Sequence, residues 1–206
     1  MTSTATTNTT ATTNTTASTA APTSTTVWTV DPAHAELGFS VRHLMINNVR
    51  GRFGKIEGTV TVDDSNLNNS QIDVTIDVNS IDTRQEMRDN HLRSADFFDA
   101  ANHPTMRFVS KRIVGDVTKD FQIIGDLTIR GTTREIELQA HFEGRGRDPW
   151  GNERAGFSLA GKLNRHDYGL DWNVALEAGG VTVGAEVKLT IDVEILHKLE
   201  ALSAAA

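Results

Sequence analysis

The stretch Val181-Thr182-Val183-Gly184-Ala185-Glu186-Val187-Lys188-Leu189-Thr190-Ile191-Asp192-Val193-Glu194-Ile195 decides the fold. Val181, Val183, Ala185, Val187, Leu189, Ile191, Val193 and Ile195 fall on one side of an extended chain, and the polar residues and Gly184 fall on the other. A period of two sustained this long is a β-strand with one apolar and one solvated face. Unbroken, it spans roughly 50 Å at ~3.4 Å per residue, longer than ordinary sheets need. Long strands point to a tall barrel.

The same alternation recurs upstream. Ile72, Val74, Ile76 and Val78 alternate with Asp73, Thr75 and Asp77, and further extended stretches lie at residues 27–30, 37–41, 53–62, 106–108, 121–129, 136–142 and 157–163. Turn-rich pieces such as Asp63-Asp64-Ser65-Asn66, Gly115-Asp116 and residues 144–152 separate them, short enough for hairpins but not for parallel crossovers. Apolar faces of this kind must meet, and closing the sheet also removes its exposed edges. The expectation is all-β: an antiparallel eight-stranded barrel, wound as a meander. One segment breaks the pattern. Thr83-Arg84-Gln85-Glu86 has the spacing of a capping box, and Met87, His91 and Leu92 follow at helical intervals, so a short mid-chain helix of roughly ten residues is expected as a lid or plug. Arg84, Arg88, Asp89 and Arg93 are placed on its exposed side.

Composition narrows the function classes. Among 206 residues, 20 Lys and Arg face 27 Asp and Glu, a net charge of −7 with no basic stretch, which argues against nucleic acid as a partner. With 0 Cys there is no disulfide, thiolate metal site or cysteine nucleophile. No run of ~18 apolar residues marks an integral membrane segment. Residues 1–26 hold 14 Thr, no charged side chain and a tandem Thr-Thr-Asn-Thr-Thr-Ala unit, and read as a disordered Thr-rich tail. The tail lacks the basic start and apolar run of a secretory signal, so the expected location is cytoplasmic. The barrel is assigned to residues 27–196, with 197–206 as a short C-terminal extension.

Several motifs, in order, carry a family resemblance. Trp28-Thr29-Val30-Asp31-Pro32-Ala33-His34 leads to Leu37-Gly38-Phe39-Ser40-Val41-Arg42-His43-Leu44-Met45 and Val49-Arg50-Gly51-Arg52-Phe53. Ser80-Ile81-Asp82-Thr83, Arg88-Asp89-Asn90-His91-Leu92, Asp96-Phe97-Phe98-Asp99 and His103-Pro104-Thr105-Met106-Arg107-Phe108 follow. The series ends with Gly125-Asp126-Leu127-Thr128-Ile129-Arg130-Gly131-Thr132-Thr133 and Asn164-Arg165-His166-Asp167-Tyr168-Gly169-Leu170. Over residues 27–195 the chain resembles the YceI-like family. The resemblance implies a lipocalin-like barrel that holds a polyisoprenoid or similar long-chain amphiphile inside, often as a homodimer, without recognised catalysis. Many relatives carry a periplasmic signal peptide, where this chain has its Thr-rich tail.

On that footing the expected partner is a hydrophobic small molecule: an isoprenoid phosphate, an isoprenoid quinone or a fatty-acid derivative. It is the ligand, and no cofactor is implied. The expected lining is Phe39, Val41, Phe53, Phe108, Leu127, Phe157, Leu159 and Trp172, with Leu44, Met45 and Phe98 near the mouth. Arg42 and His43, Arg88 and His91 on the lid, and Arg165 are the candidates for a headgroup, because guanidinium groups grip phosphate oxygens and imidazole donates to phosphate or a quinone carbonyl. Competing chemistry is thin. Seven histidines show no metal-ligand spacing, so no metal site is assigned, and no Gly-x-Ser-x-Gly elbow is present. The second reading is a structural or interaction module, a filled barrel acting through its surface or its Thr-rich tail.

Overall fold

A computed structural model describes residues 25–175 and 181–198. It contains ten strands, β1 (Thr25–His43), β2 (Asn47–Phe53), β3 (Ile56–Asp63), β4 (Gln71–Asp77), β5 (Ile81–Asp82), β6 (Thr105–Gly115), β7 (Asp120–Ile129), β8 (Thr132–Arg147), β9 (Glu153–Asn164) and β10 (Val183–His197), and one α-helix, α1 (Glu86–Arg93). Strands β3, β4, β6, β7, β8, β9 and β10 neighbour one another in that order, and β1 pairs with both β3 and β10. Those eight antiparallel strands form a closed barrel, as the alternation predicts. β2 pairs with the second half of β1 as β3 pairs with the first, so it extends the wall towards the helix end, and it carries the two-residue β5.

The sequence reading divides β1 into two strands. They are one, joined by a bulge: between the pairs Val30↔Ile195 and Ala35↔Val193, β1 advances five residues against two on β10. Residues Asp31 to His34 occupy the excess, so Pro32 withdraws no donor from the ladder. Conversely, residues 53–62 are two strands, broken after Phe53. β10 opens at Val183, and a second irregularity between the pairs Val41↔Val187 and His43↔Val183 leaves Ala185 exposed, out of phase with the apolar series. β1 starts at Thr25 and β10 runs to His197, so the barrel overlaps both expected boundaries slightly. The rest of the Thr-rich tail, residues 1–24, and residues 199–206 lie outside the described residues.

The helix departs from the capping-box reading. It has eight residues, and its N-cap is Gln85, whose side chain accepts from the Arg88 backbone N–H. The Thr83 hydroxyl instead donates to Asp89 Oδ1 at 2.5 Å, and the Thr83 N–H donates to the same oxygen at 2.9 Å. Asp89, expected on the exposed side, is therefore buried, because it terminates the backbone of the preceding strand. Met87, expected on the apolar side, is 76% exposed. Leu92 and the following Phe97 and Phe98 supply the apolar contacts instead, and with residues 94–103 they close one end of the barrel.

The seam between β1 and β10 is pinned by charge. Arg154 Nη1 on β9 reaches Asp31 Oδ2 at 2.5 Å and Glu194 Oε2 at 3.0 Å, while its Nε reaches Asp148 Oδ2 at 3.2 Å. Hydrogen bonds from Arg154, then from His34, hold the Asp31 carboxyl down to about 2. A carboxylate whose folded pKa lies below its ordinary 3.8 stabilises the fold above that value and loses the contribution as pH falls through about 2. Urea denaturation across pH should therefore give Asp31→Asn a lower stability at neutral pH and a flatter acid limb between pH 4 and 2. Parallel acid limbs for the two proteins would remove Asp31 from the seam's stability.

Candidate functional site

The inward side chains of the ring do not fill it. A cavity of about 630 Å³ runs the length of the barrel, from Leu67, Val117 and Phe142 at one end to Leu92, Phe98 and Leu170 beneath the helix. Its lining comes from every strand of the ring, and among the described residues only Ser70, Thr118, Arg145 and Arg165 in it are polar. A filled core, which the second sequence reading requires, is not what the strands enclose.

Local rules place the walls. Val187, Leu189, Ile191, Val193 and Ile195 of β10 project inward at the strand period, facing Phe108, Ile123 and Leu127 of β6 and β7. Two aromatic rings lie down against the wall where glycine leaves room. A Cβ at Gly51 would come within 2.5 Å of the Phe39 ring, and one at Gly125 within 2.6 Å of the Phe108 ring. Glycine inside a strand marks such close approaches. Phe157 is held edge-on to Phe121 at 6.1 Å and against Phe142 at 5.5 Å.

The two ends differ. The exposed residues of the lining, Leu67, Thr118 and Arg145, all belong to the end formed by the β3–β4, β6–β7 and β8–β9 connections. Arg145 lies 5.0 Å over the Trp28 ring and pairs with Glu153. At the helix end Phe98 meets Phe53 edge-on at 5.7 Å, and Trp172 meets His91 edge-on at 4.7 Å and Phe97 at a tilt at 5.4 Å, latching the cap. The open mouth is thus opposite the helix, the reverse of the sequence expectation.

Of the residues assigned from sequence, Phe39, Val41, Phe53, Phe98, Phe108, Leu127, Phe157, Leu159 and Arg165 line the cavity. His43, Leu44, Met45, Arg88, His91 and Trp172 do not. Leu44 and Met45 form the exposed β1–β2 turn, Trp172 and His91 belong to the latch, and Arg88 donates to the Thr83 hydroxyl and carbonyl at 2.7 and 2.8 Å. Arg145 was not among the candidates, because Gly144-Arg145-Gly146 reads as a loop whereas β8 continues through it to Arg147. An arginine opposite the strand-borne Ala155 was the available signal.

Arg165 is 3% exposed, and its guanidinium is already committed. Nε donates to the Gly184 carbonyl at 2.9 Å, Nη1 to those of Leu170 and Trp172, and Nη2 to that of Val183 at 3.3 Å. Burial pulls its pKa below the ordinary value. It ties the chain after β9 to the start of β10 and has little capacity left for a headgroup. Nearby, the Tyr168 hydroxyl is buried without a hydrogen-bond partner among the described residues, and burial pushes the phenol up to about 12. On the barrel's outside, Asp31, His34 and Glu194 bring ligand atoms within 4.8 Å of one another, but Arg154 already bridges the two carboxylates.

Eight antiparallel strands closed around an apolar lumen, with a helix across one end, define a lipocalin-like barrel. The chain belongs to the YceI-like domain family, whose model matches residues 28–195. It is 38% identical over 170 residues to a UPF0312 protein of Staphylococcus epidermidis, covering 82% of this chain and 96% of that one. It is similar to a YceI protein of Campylobacter jejuni, at 32% identity and a TM-score of 0.65 over 76% of this chain and 90% of that one. A domain from Saccharophagus degradans, described as polyisoprenoid binding and implicated in plant cell wall breakdown, shares the fold at 15% identity. Its TM-score is 0.61 over 83% of this chain and 98% of that one.

Replacing Arg165 with Met leaves its carbonyl partners without their donor in a buried site, at ~1–3 kcal/mol for each group left unsatisfied. Urea denaturation should show Arg165→Met destabilised by about 3 kcal/mol, with Arg165→Lys recovering only part of it. Wild-type stability in Arg165→Met would show that these hydrogen bonds carry no weight.

Proposed function

We propose that this protein binds a long-chain apolar molecule, a polyisoprenoid or a comparable amphiphile, inside the barrel and carries it without catalysing a change in it. The observation that carries the reading is the continuous lumen of about 630 Å³, apolar at all but four lining residues. Each buried methylene-sized group of such a chain gains ~0.8 kcal/mol on leaving water, before the cost of ordering the chain. Among the described residues no lining group has the arrangement that nucleophilic or acid–base chemistry needs: the polar ones are two hydroxyls, an arginine bonded to backbone carbonyls and an arginine paired with Glu153. The polyisoprenoid-binding description of the Saccharophagus degradans domain lends the ligand class its support.

The lumen's polarity also bears on orientation. Hydrocarbon fills the length of the barrel, and any polar head rests at the rim where Arg145, Ser70 and Thr118 stand. Phosphate, pyrophosphate and quinone heads are distinguished by identifying the ligand.

Organic extraction of the purified protein followed by mass spectrometry should yield a long-chain lipid near one molecule per barrel. Phe157→Trp and Phe108→Trp add volume to the wall and should shift the bound population to shorter chains, because a packed wall does not yield freely. An extract free of lipid, together with failure to take up a polyprenol offered in detergent, would sink the proposal.

A further inference from the structure

The β1–β2 hairpin ends in a turn whose residues are not those its geometry prefers, braced by Arg42 Nε donating to the Met45 carbonyl at 3.1 Å. Ile46 N–H donates to the His43 carbonyl at 3.1 Å, and the two residues between them, Leu44 and Met45, both have positive φ, 49° and 59°. Two consecutive positive φ values favour Asn-Gly, Asp-Gly or Gly-Gly, and large side chains adopt them at a cost. Here the strained positions carry Leu and Met, which are 37% and 50% exposed, followed by Ile46 at 77%. Val174 and Val181 are also exposed on the adjoining segment, which is tied to the tip by the Leu44 N–H to Thr182 carbonyl bond at 2.9 Å. Large apolar side chains are kept exposed where small polar ones are sterically preferred, and strain of this kind collects at functional positions.

Charge narrows what the tip meets. In a chain of net charge −7, residues 37–56 contain Arg42, Arg50, Arg52 and Lys55 and no acid. Arg52 pairs with Glu36 and Asp82, and Lys55 with Asp77, while Arg42 and Arg50, which flank the tip, have no carboxylate partner among the described residues. Of the nearby acids, Asp171 pairs with His166 and Glu186 with Lys162. Apolar side chains at a protruding end with arginines behind them match a bilayer, hydrocarbon first and anionic headgroups above it. The opposite end of the barrel also exposes an aromatic residue, Trp150 at 80%, but the turns around that mouth carry Asp64, Asp116 and Asp120. There acid and base are matched, Asp116 with Lys119 and Arg145 with Glu153, so the charge behind Trp150 is neutralised locally.

We propose that the β1–β2 tip, Leu44, Met45 and Ile46 with Arg42 and Arg50, docks the protein on a lipid bilayer bearing anionic headgroups. This does not depend on the identity of the molecule in the lumen. Val41 lines the cavity three residues before Leu44, so the docked tip lies close to the lumen.

The test is co-flotation of the full chain with vesicles of phosphatidylcholine alone or with one third phosphatidylglycerol. Binding is expected to the mixed vesicles and to weaken with added salt. Leu44→Asn with Met45→Gly installs the residues that the turn prefers, so the barrel should unfold at the same or higher urea concentration while vesicle partitioning falls at least about tenfold. Arg42→Gln with Arg50→Gln should lower binding to the mixed vesicles and remove most of its salt dependence, and Trp150→Ser should leave it unchanged. Equal partitioning of the Leu44→Asn, Met45→Gly protein, no wild-type binding to either vesicle, or loss of binding in Trp150→Ser alone would overturn the proposal. So would sedimentation that shows a wild-type dimer abolished by the tip substitutions, which would assign the patch to a second copy. Lipid extraction from the same variants reads the lumen separately, so failure of docking and failure of the ligand reading cannot be confused.

Discussion

The pairing of β1 with β10 is the contact on which the rest depends. Without it the eight ring strands are an open sheet whose apolar face needs a second layer, and the described residues offer one helix of eight residues to cover it. Closure lets the sheet cover itself and leaves no long ring strand with an unpaired edge. The seam has to absorb three surplus residues at Asp31 to His34, and Arg154 bridging Asp31 and Glu194 holds the strands together around them. A bulge of this size without a charged clasp would be a place for the ladder to open.

A closed ring of eight strands has an interior near the limit of what side chains fill. Here the limit is passed. Valine, isoleucine and leucine make up most of the inner face, and several of the large rings lie along the wall or against each other, so the side chains leave a lumen between them. Wall atoms facing a void lack dispersion partners on that side, which favours occupation by something equally apolar. The cap has the opposite character: Phe97, Phe98, Trp172 and His91 interlock by ring edges, and the buried Thr83–Asp89 hydrogen bonds anchor the helix to the strand before it.

Much of this was legible in residue order. Alternation on β4, β7, β8 and, from Val187 onward, β10 carries the barrel and most of its inner face, because burial of one face enforces the period. What escaped depends on contacts between distant segments. Thr83 fits a capping box locally, yet its hydroxyl is taken by Asp89, and Gln85 caps in its place. Arg165 resembles a headgroup ligand until four carbonyls from after β9 and the start of β10 converge on it. Arg145 was hidden by flanking glycines that suggest a loop, although both lie within a paired strand. The open mouth was misplaced for a related reason: the helix read as a lid or plug is fastened through His91, whose ring meets Phe97 and Trp172 edge-on, contacts that no spacing rule encodes.

The glycines at positions 51 and 125 set the calibre of the channel. Each supplies a hydrogen where any other residue would wedge a phenyl group away from the sheet and into the passage. Exchanging Gly51, whose nearest neighbours are the Phe39 ring and the Thr83 methyl group, would therefore re-gauge the passage, whereas Gly125 also meets the Val109 carbonyl at 2.5 Å and is held to glycine by the strand pairing itself.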